Sequence, residues 1–427
     1  MQPQGSSSLP GGGKGLPAVL PPSGTHIVKM FVVPLLIVGA LLLGWCLFLK
    51  LSGGAVLRTP DSFLADLRSG DPDVRWRAAQ DLAQVLPRDE HLASDPAFGL
   101  ELTAELRAAL DAANEAEKAL AKKLKEDPDA GVAAERKDLE ARNNYLLYLS
   151  ELVAKLCTPV AVSLLKEMAL DGGSGAANVR AMRRVSAVWG LTNLGENLKG
   201  FDPLSEERQE AVIAGFEEQA SAEGERGQWA KEAAAYLKER RAGRPSALGV
   251  DAVLVRCLGD GNPVVRWHAV FATNFWPGGE AVEEALVERL SDRGEGEDQL
   301  SAFREEAKNL AFEYRNDEGL GIRYQAAVAL ARRGSAKAPL DVLGEMLDES
   351  TQMEKHRVRS AKDGREGPDK TATYGEMENA LKAIAELHRR NPGVNLSTLD
   401  AAIDKLKDSA NPAIRKEAEN TREALGK

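Results

Sequence analysis

The pattern of apolar positions divides the chain into two parts. Residues 30–49 form one uninterrupted apolar run without a charged residue. From Thr59 onward, apolar residues instead recur every three or four positions, with charged residues between them. That spacing places the apolar residues on one side of a helix, and no alternating pattern typical of strands interrupts it. The pattern therefore predicts an all-α domain over residues 59–427.

The apolar run predicts a membrane-spanning helix over residues 27–51. Crossing the hydrocarbon layer takes about 20 apolar residues, and Lys29 and Lys50 flank a run of that length, with Trp45 near one end. A cleaved signal peptide is the alternative, but the run is longer than a usual signal h-region and no A-x-A site follows it. Residues 1–26 are rich in Gly, Pro and Ser and are predicted to be a disordered tail.

The sequence leaves the side of the membrane undetermined. Basic residues flank the run almost equally, with Lys14 and Lys29 before it and Lys50, Arg58 and Arg68 after it. Cys157 and Cys257 lie in apolar helical surroundings and suggest no disulfide, which favours a reducing compartment. The habit of bacterial signal anchors favours the opposite orientation, with the large domain exported. A single-pass membrane protein of either topology is expected.

One short motif recurs within the helical part. Its fuller copies read Asp or Asn, Pro, a β-branched residue, Arg, often an aromatic residue, and Ala. The copies are DPDVRWRAA at 71–79, NPVVRWHAV at 262–270, GIRYQAA at 321–327 and NPAIRKEA at 411–418, with a weaker RVSAVWGL at 184–191. The Asp or Asn is expected to cap a helix whose first turn holds the Pro. The apolar stripe of the first copy is Val74, Ala78, Leu82 and Leu86.

An amphipathic segment precedes the clearest copies, as at residues 63–67, 253–258 and 399–406. Repeated helix pairs joined by short turns predict an α-solenoid. In each copy an arginine lies beside the apolar stripe and can reach an acidic residue of the next unit, forming a repeat ladder: Arg75, Arg184, Arg266, Arg323 and Arg415. These arginines are 109, 82, 57 and 92 residues apart, whereas one repeat usually takes ~40–47 residues. Degenerate pairs or insertions must therefore fill the gaps.

The motif resembles HEAT repeats, and in particular the HEAT-like units of phycobilisome lyases, whose second helix begins with a similar Asp-x-x-Val-Arg-x-x-Ala-Ala-x-x-Leu. The matching regions cover about a third of the chain, at 61–87, 248–275, 316–349 and 396–426. The resemblance implies an armadillo-type solenoid in which the second helix of each pair lines the concave face. It also implies protein binding, and some proteins with related repeats attach bilin chromophores to proteins.

Two stretches differ from the regular pairs. Residues 99–156 are predicted to form a long helical hairpin broken at Asp127-Pro128, and a coiled-coil dimer is the alternative to pairing within the chain. Residues 350–373 are polar, slightly basic and without an apolar stripe, so they are predicted to form an exposed loop. That loop is interpreted as a solvated linker, or else as a site for an acidic partner or an anionic lipid.

The composition offers little for catalysis. Three cysteines exclude a Cys-rich zinc module, the five histidines are scattered, and no catalytic or nucleotide-binding motif occurs. His268 has no Ser, Cys or carboxylate placed by sequence to work with it, and Cys157 and Cys257 are expected to be core residues.

The net charge of −10 argues against nucleic-acid binding. With +4 in residues 1–58, residues 59–427 carry −14. We expect no enzyme, no cofactor and no metal.

The sharpest functional pattern is aromatic. Trp76, Trp267 and Tyr324 each follow the motif arginine, ~200° around the helix from the β-branched core residue and so off the apolar stripe. They are candidate partner-binding residues for a groove that takes a peptide or helix; packing between repeats is the alternative. The chain is therefore predicted to be a membrane-anchored scaffold or adaptor for protein partners. The other possibilities are a self-associating structural component of the envelope and a relative of the chromophore lyases.

Overall fold

The computed structural model describes residues 59–172, 177–244, 246–292, 320–359 and 366–426, together with Leu35, Val38, Gly39 and Leu41. The chain divides into two units, Met1–Thr59 and Pro60–Lys427, and the helices described below belong to the second. No helix in the described part of the chain is both long and apolar enough to cross a membrane. The predicted tail at 1–26 and, apart from those four positions, the predicted span at 27–51 lie outside the described residues.

The second unit is built almost entirely of helices. In chain order its described helices are α1 Pro60–Leu67, α2 Pro72–Val85, α3 Glu90–Ala93, α4 Pro96–Glu126, α5 Ala133–Val153, α6 Val162–Ala169, α7 Ala177–Asn197, α8 Glu206–Gln219, α9 Glu225–Arg241, α10 Val250–Leu258, α11 Pro263–Ala272, α12 Glu280–Arg289, α13 Leu320–Arg332, α14 Leu340–Met346, α15 Glu349–Lys355, α16 Lys370–Arg390, α17 Asp400–Leu406 and α18 Pro412–Ala424. Short 3₁₀ turns lie at Leu86–Arg88, Pro159–Ala161, Leu198–Phe201 and Ser397–Leu399. The prediction of a helical domain is confirmed.

Successive helices pack as pairs, and the second helices of the pairs stack on one another. The pairs are α1 with α2, α4 with α5, α6 with α7, α10 with α11, α12 with α13, and α17 with α18, while α14 and α15 both pack on α16. The stack of second helices runs α2, α5, α7, α11, α13, α16 and α18. Because each pair contacts chiefly its neighbours, this arrangement is an α-solenoid, as the repeats predict.

The packing explains the irregular spacing of the motif. Helices α8 and α9 pack on each other and on α4 rather than within the stack of second helices, so this pair is an insertion between Arg184 and Arg266. Helices α5 and α16 belong to the stack but carry no copy of the motif, which accounts for the long intervals that follow Arg75 and Arg323. Insertions and degenerate pairs therefore fill the gaps, as predicted.

Side-chain caps begin the motif helices in the way the sequence predicts. Each capping Oδ1 accepts a hydrogen bond of 2.9 Å from the backbone N–H two residues later: Asp71 from Asp73, Asn262 from Val264, and Asn411 from Ala413. Proline follows each cap at the start of the helix, where its missing N–H would have had no partner in the helix. Loss of such a cap typically costs about 1 kcal/mol.

The hairpin of α4 and α5 is fastened to α7 by a buried arginine. Arg183 is 1% exposed, and its guanidinium reaches four side chains on three segments of the chain. Its Nε donates to Oδ1 of Asn143 over 2.8 Å, and its Nη1 donates to Oδ1 of Asn114 over 2.8 Å. The same Nη1 lies 3.1 Å from Glu117 and 3.4 Å from Asp171. Hence α4 and α5 pair within the chain and are joined to the stack by a polar network.

Residues 350–373 are not the single exposed loop predicted from their polarity. They include most of α15, a two-stranded antiparallel hairpin of β1 Arg357–Arg359 and β2 Glu366–Pro368, and the start of α16. Residues 360–365 lie outside the described residues. Gln352 is fully buried, and its Nε2 donates to the hydroxyl of Tyr324 over 3.1 Å and to the carbonyl of Glu345 over 3.0 Å. The prediction is wrong because a polar residue anchors this helix, and apolar periodicity cannot detect such an anchor.

Candidate functional site

The three aromatic residues predicted to form one row occupy different environments. Trp76 is half-buried on α2, and its ring packs edge-on against Tyr148 of α5 with 3.9 Å between ring centroids. Trp267 is half-buried on α11, and its closest aromatic contacts are residues of the same helix. Its role in binding, like that of Trp76, stays a prediction.

Tyr324 belongs to the core. Its side chain is 1% exposed, its hydroxyl donates to Oε1 of Glu345 over 2.6 Å, and the Nζ of Lys355 lies 3.3 Å from the ring centroid. Burial, followed by the hydrogen bond to Glu345, raises the pKa of the hydroxyl. The prediction of Tyr324 as a partner-binding residue is corrected here, because its ring is enclosed by α15 and leaves no surface for a partner to contact.

An aromatic ridge follows α11 and the turn after it, and one residue of the neighbouring α7 joins it. Trp267 and Phe271 stack with centroids 6.2 Å apart, and Phe271 contacts Phe275 edge-on at 5.5 Å. Trp189 of α7 stacks on Phe271 at 6.2 Å. All four side chains are half-buried, and we call Trp189, Trp267, Phe271 and Phe275 the aromatic ridge. Its sequence signal is the recurrence of aromatic residues every four positions in 267–275. That recurrence lies within one copy of the motif, so comparing equivalent positions of different copies does not reveal it.

The motif arginines form a ladder in the middle of the solenoid. Arg184 holds Asp260 with two bonds of 2.8 and 3.1 Å, and Arg266 holds Asp292 with bonds of 2.7 and 3.0 Å. Arg323 binds Glu345 over 2.7 Å. Each arginine thus reaches an acidic residue in a neighbouring segment, as the sequence predicts.

The two terminal arginines of the ladder differ from the inner three. The guanidinium of Arg75 lies over the ring of Tyr145 at 4.8 Å from the centroid. Arg415 donates to the backbone carbonyl of Ser409 over 2.6 Å, in the turn that precedes its own helix. The ladder therefore joins the central pairs to one another, which is a structural role.

The aromatic ridge ends at a cleft of about 710 Å³. The turn after α11 forms one wall through Phe275 and Pro277, and the end of α13 forms another. The charged residues that line the cleft are mostly basic: Lys199, Arg240, Arg332, Arg333, Lys382 and Arg390, against Glu283 and Glu386. We call this site the basic cleft. It combines residues nearly two hundred positions apart in the chain, so no local sequence pattern could reveal it.

Two adjacent arginines dominate the electrostatics of the basic cleft. Arg333 donates from Nη1 to the backbone carbonyls of Thr273, over 2.5 Å, and of Trp276, over 3.4 Å. Among the described residues, Arg332 donates from Nη2 to Oδ1 of Asn379 over a long distance of 3.4 Å. Burial lowers the pKa of both guanidinium groups. Within the described part of the chain, neither forms an ion pair with a carboxylate.

Three side chains with reactive groups lie inside the core: His268, Cys157 and Cys257. His268 is 4% exposed between the rings of Trp189 and Trp267, and burial lowers its pKa to about 3. Burial likewise raises the pKa of Cys157 to about 11 and that of Cys257 to about 12. Both thiols are free and buried, as predicted for core residues. No group of three potential metal ligands occurs among the described residues.

Comparison with known proteins finds similar solved structures but no match by sequence. No protein family matches the chain, and no curated protein matches it by sequence. Among solved structures, a designed armadillo repeat protein in complex with the peptide (KR)4 matches 62% of this chain and 91% of its own chain, with 19% identity and a TM-score of 0.24. A score that low carries no argument, so the solenoid architecture rests on the packing of the helices described above.

Proposed function

We propose that this protein is a non-enzymatic scaffold or adaptor that binds a protein partner along its solenoid. The observation that carries the proposal is the aromatic ridge, which leads from the stack of second helices into the basic cleft. Partly exposed aromatic and arginine side chains that lie side by side are the usual centres of binding energy at protein interfaces. A solenoid can present such a surface over a long distance.

Two finer assignments belong to the same proposal. The repeats are HEAT-like, which the motif and its caps support. The segment at 27–51 is a membrane anchor, which its uncharged apolar run supports. An anchor would confine the solenoid to a surface and raise its effective concentration for partners there. The burial of His268, Cys157 and Cys257 supports a binding role over a catalytic one.

Replacing Trp267 by Ala is the test of the ridge. Once a partner has been isolated with the full-length protein, we expect the variant to bind it at least ~10-fold more weakly, because the substitution removes the ring at one end of the ridge. Trp267 also packs on Phe271 and close to Gly321, so we expect a modest loss of stability as well. Isothermal titration calorimetry would measure the affinity.

Trp76→Ala is the companion variant for the ridge. Trp76 is another half-buried tryptophan that packs on a neighbouring aromatic ring, but it lies on α2, away from the ridge. It should show a similar loss of stability; unchanged affinity would confine binding to the ridge, whereas weaker binding would extend the binding surface to Trp76. If both variants lose stability and neither loses affinity, the ridge is internal packing. Concentration-dependent oligomers that capture no foreign protein would instead favour a self-associating structural role.

Cysteine labelling can settle the topology. We expect a membrane-impermeant maleimide to label a Lys370→Cys, Cys46→Ser variant at position 370, which is exposed at the start of α16. Cys157 and Cys257 should stay unlabelled until denaturant is added, because both are buried and their pKa values are raised. Mass spectrometry of the solubilised protein would check this, and labelling of either native thiol without denaturant would contradict it.

The same variant in intact cells then reports the side of the membrane. Labelling without lysis would place the solenoid outside the cytoplasm and direct the search toward envelope partners. Labelling only after lysis would place it inside, next to cytoplasmic machinery. The free thiols favour the second outcome.

A further inference from the structure

The basic cleft is a positive site on a negative protein. The chain carries a net charge of −10, yet six of the eight charged residues that line the cleft are basic. Four of the six have carboxylate partners: Lys199 with Glu196, Arg240 with Asp202, Lys382 with Glu378, and Arg390 with Glu386. Arg332 and Arg333 supply the charge that no described carboxylate pairs.

Those two guanidiniums are held where water cannot fully solvate them. Burial is the largest cause of the lowered pKa of each, and the nearby Arg390 lowers the pKa of Arg333 further, although Glu386 and Glu283 act in the opposite direction. A cation withdrawn from water without a counter-charge raises the free energy of the protein. An anionic ligand in the cleft would offset that cost, whereas a neutral or cationic ligand would not.

The backbone around Arg333 leaves room for its guanidinium. A methyl group at Gly278 would overlap the Nη2 of Arg333, and one at Gly334 would come within 2.7 Å of the Cβ of Arg390. Gly334 also has a φ of +75°, which favours glycine. The turn that faces Arg333 is held in place by Trp276, whose Nε1 donates to the backbone carbonyl of Leu191 over 2.8 Å. Glycine at these two positions therefore leaves the space that the Arg333 guanidinium and the end of α16 occupy.

The extent of the basic cleft identifies the kind of anion. Lys382 and Arg390 both line it and are eight residues apart on α16, which corresponds to about 12 Å along a helix. A single phosphate group cannot reach both ends, whereas an extended peptide advances about 3.3 Å per residue, so that roughly four residues would cover the distance. Phe275 adds an apolar surface at the rim.

We propose that the basic cleft binds an acidic peptide segment of the protein partner, with carboxylates placed against Arg332 and Arg333 and along α16. This inference rests on the proposed scaffold function and specifies the chemistry of the partner. The ridge would supply apolar contacts, and the cleft would favour acidic segments over neutral or basic ones. Complementary charge determines specificity and association rate more than affinity.

Fluorescence polarisation with the full-length protein in detergent tests the cleft. The probe is a dye-labelled peptide of alternating Glu and Gly, and its comparison is the same peptide with Gln in place of Glu. We expect the Glu peptide to bind at least ~10-fold more tightly, and its binding to weaken as sodium chloride is added. Equal affinity of the two peptides would overturn the proposal.

Single substitutions connect the binding to the cleft. Lys382→Gln and Arg332→Gln should each weaken binding of the Glu peptide by about 3-fold or more; Lys382 is half-exposed, so its variant should fold normally. The matched control is Arg142→Gln, which removes an exposed arginine paired with Asp138 on α5 and should leave binding unchanged. Loss of binding in the control alone, or in none of the variants, would place the peptide elsewhere.

Competition with inorganic phosphate completes the experiment. If phosphate displaces the peptide far more effectively than chloride at the same ionic strength, the cleft is a small-anion site and the peptide proposal fails. Failure here would leave the scaffold function intact if Trp267→Ala still weakened partner binding. Failure of both experiments would count against the scaffold function itself.

Discussion

Replacing Arg183 by Met is expected to lower the free energy of unfolding by about 3–5 kcal/mol. The guanidinium is 1% exposed and satisfies Asn143, Asn114, Glu117 and Asp171. Methionine fills a similar volume but offers no donor, so the variant leaves two half-buried carboxylates and two amides without their cation. Urea unfolding followed by circular dichroism would measure the loss.

The control for Arg183 is Arg142→Met on the same helical hairpin. Arg142 is exposed, and its ion pair with Asp138 spans one turn of α5 at 2.7 Å. Exposed pairs of that kind contribute little, so a change within about 0.5 kcal/mol is expected. If Arg183→Met costs no more than this control, water or a local rearrangement satisfies the network, and the arginine does not fasten α4 and α5 to α7.

His268 should make the protein sensitive to acid. Burial holds its pKa in the folded state at about 3, against an ordinary value of 6.5. Above pH 6.5 the histidine is neutral in both states and its contribution to stability is complete. Below that pH only the unfolded state takes up the proton, so stability is lost progressively as the pH falls toward 3. At about 1.4 kcal/mol per pH unit, the loss is about 2 kcal/mol at pH 5 and reaches about 5 kcal/mol near pH 3.

His268→Leu tests this expectation directly. The variant cannot take up that proton, so its stability relative to the wild type should improve by about 2 kcal/mol between pH 7 and pH 5. Whether it is more or less stable at pH 7 depends on packing against Trp189 and Trp267, and that difference is independent of pH. Urea unfolding at both pH values gives the comparison.

Parallel stability curves for His268→Leu and the wild type would show that His268 is protonated as easily in the folded state as in the unfolded one.

The local features of this fold were predictable because their causes are local. Asp71, Asn262 and Asn411 cap helices through bonds to residues only two positions away, so the cap and its partner appear together in the sequence. The apolar stripe of each helix follows from the spacing of its own residues. Recurrence of such units predicted a solenoid, because an isolated helix pair cannot bury its apolar face.

Features that depend on packing between distant residues were not predictable in the same way. Tyr324 has the motif position of Trp267, yet α15 covers it and leaves Trp267 half-exposed. Gln352 is polar and fully buried because it bonds to Tyr324 and Glu345. Periodicity measures apolarity along one helix, whereas these outcomes depend on which segment lies opposite.

The sequence by itself determined the helices, their caps and the repeating pairs, since each follows from residues close together in the chain or from repetition; which acidic residue each inner arginine reaches was decided by packing. Only the tertiary structure decided that α8 and α9 leave the stack, that Arg183 is buried at the junction of three segments, and that the basic cleft exists. Lys199 and Arg390 both line that cleft although nearly two hundred residues separate them in the sequence. Burial and proximity between distant residues arise from packing, and packing is the property that a pattern along one chain does not record.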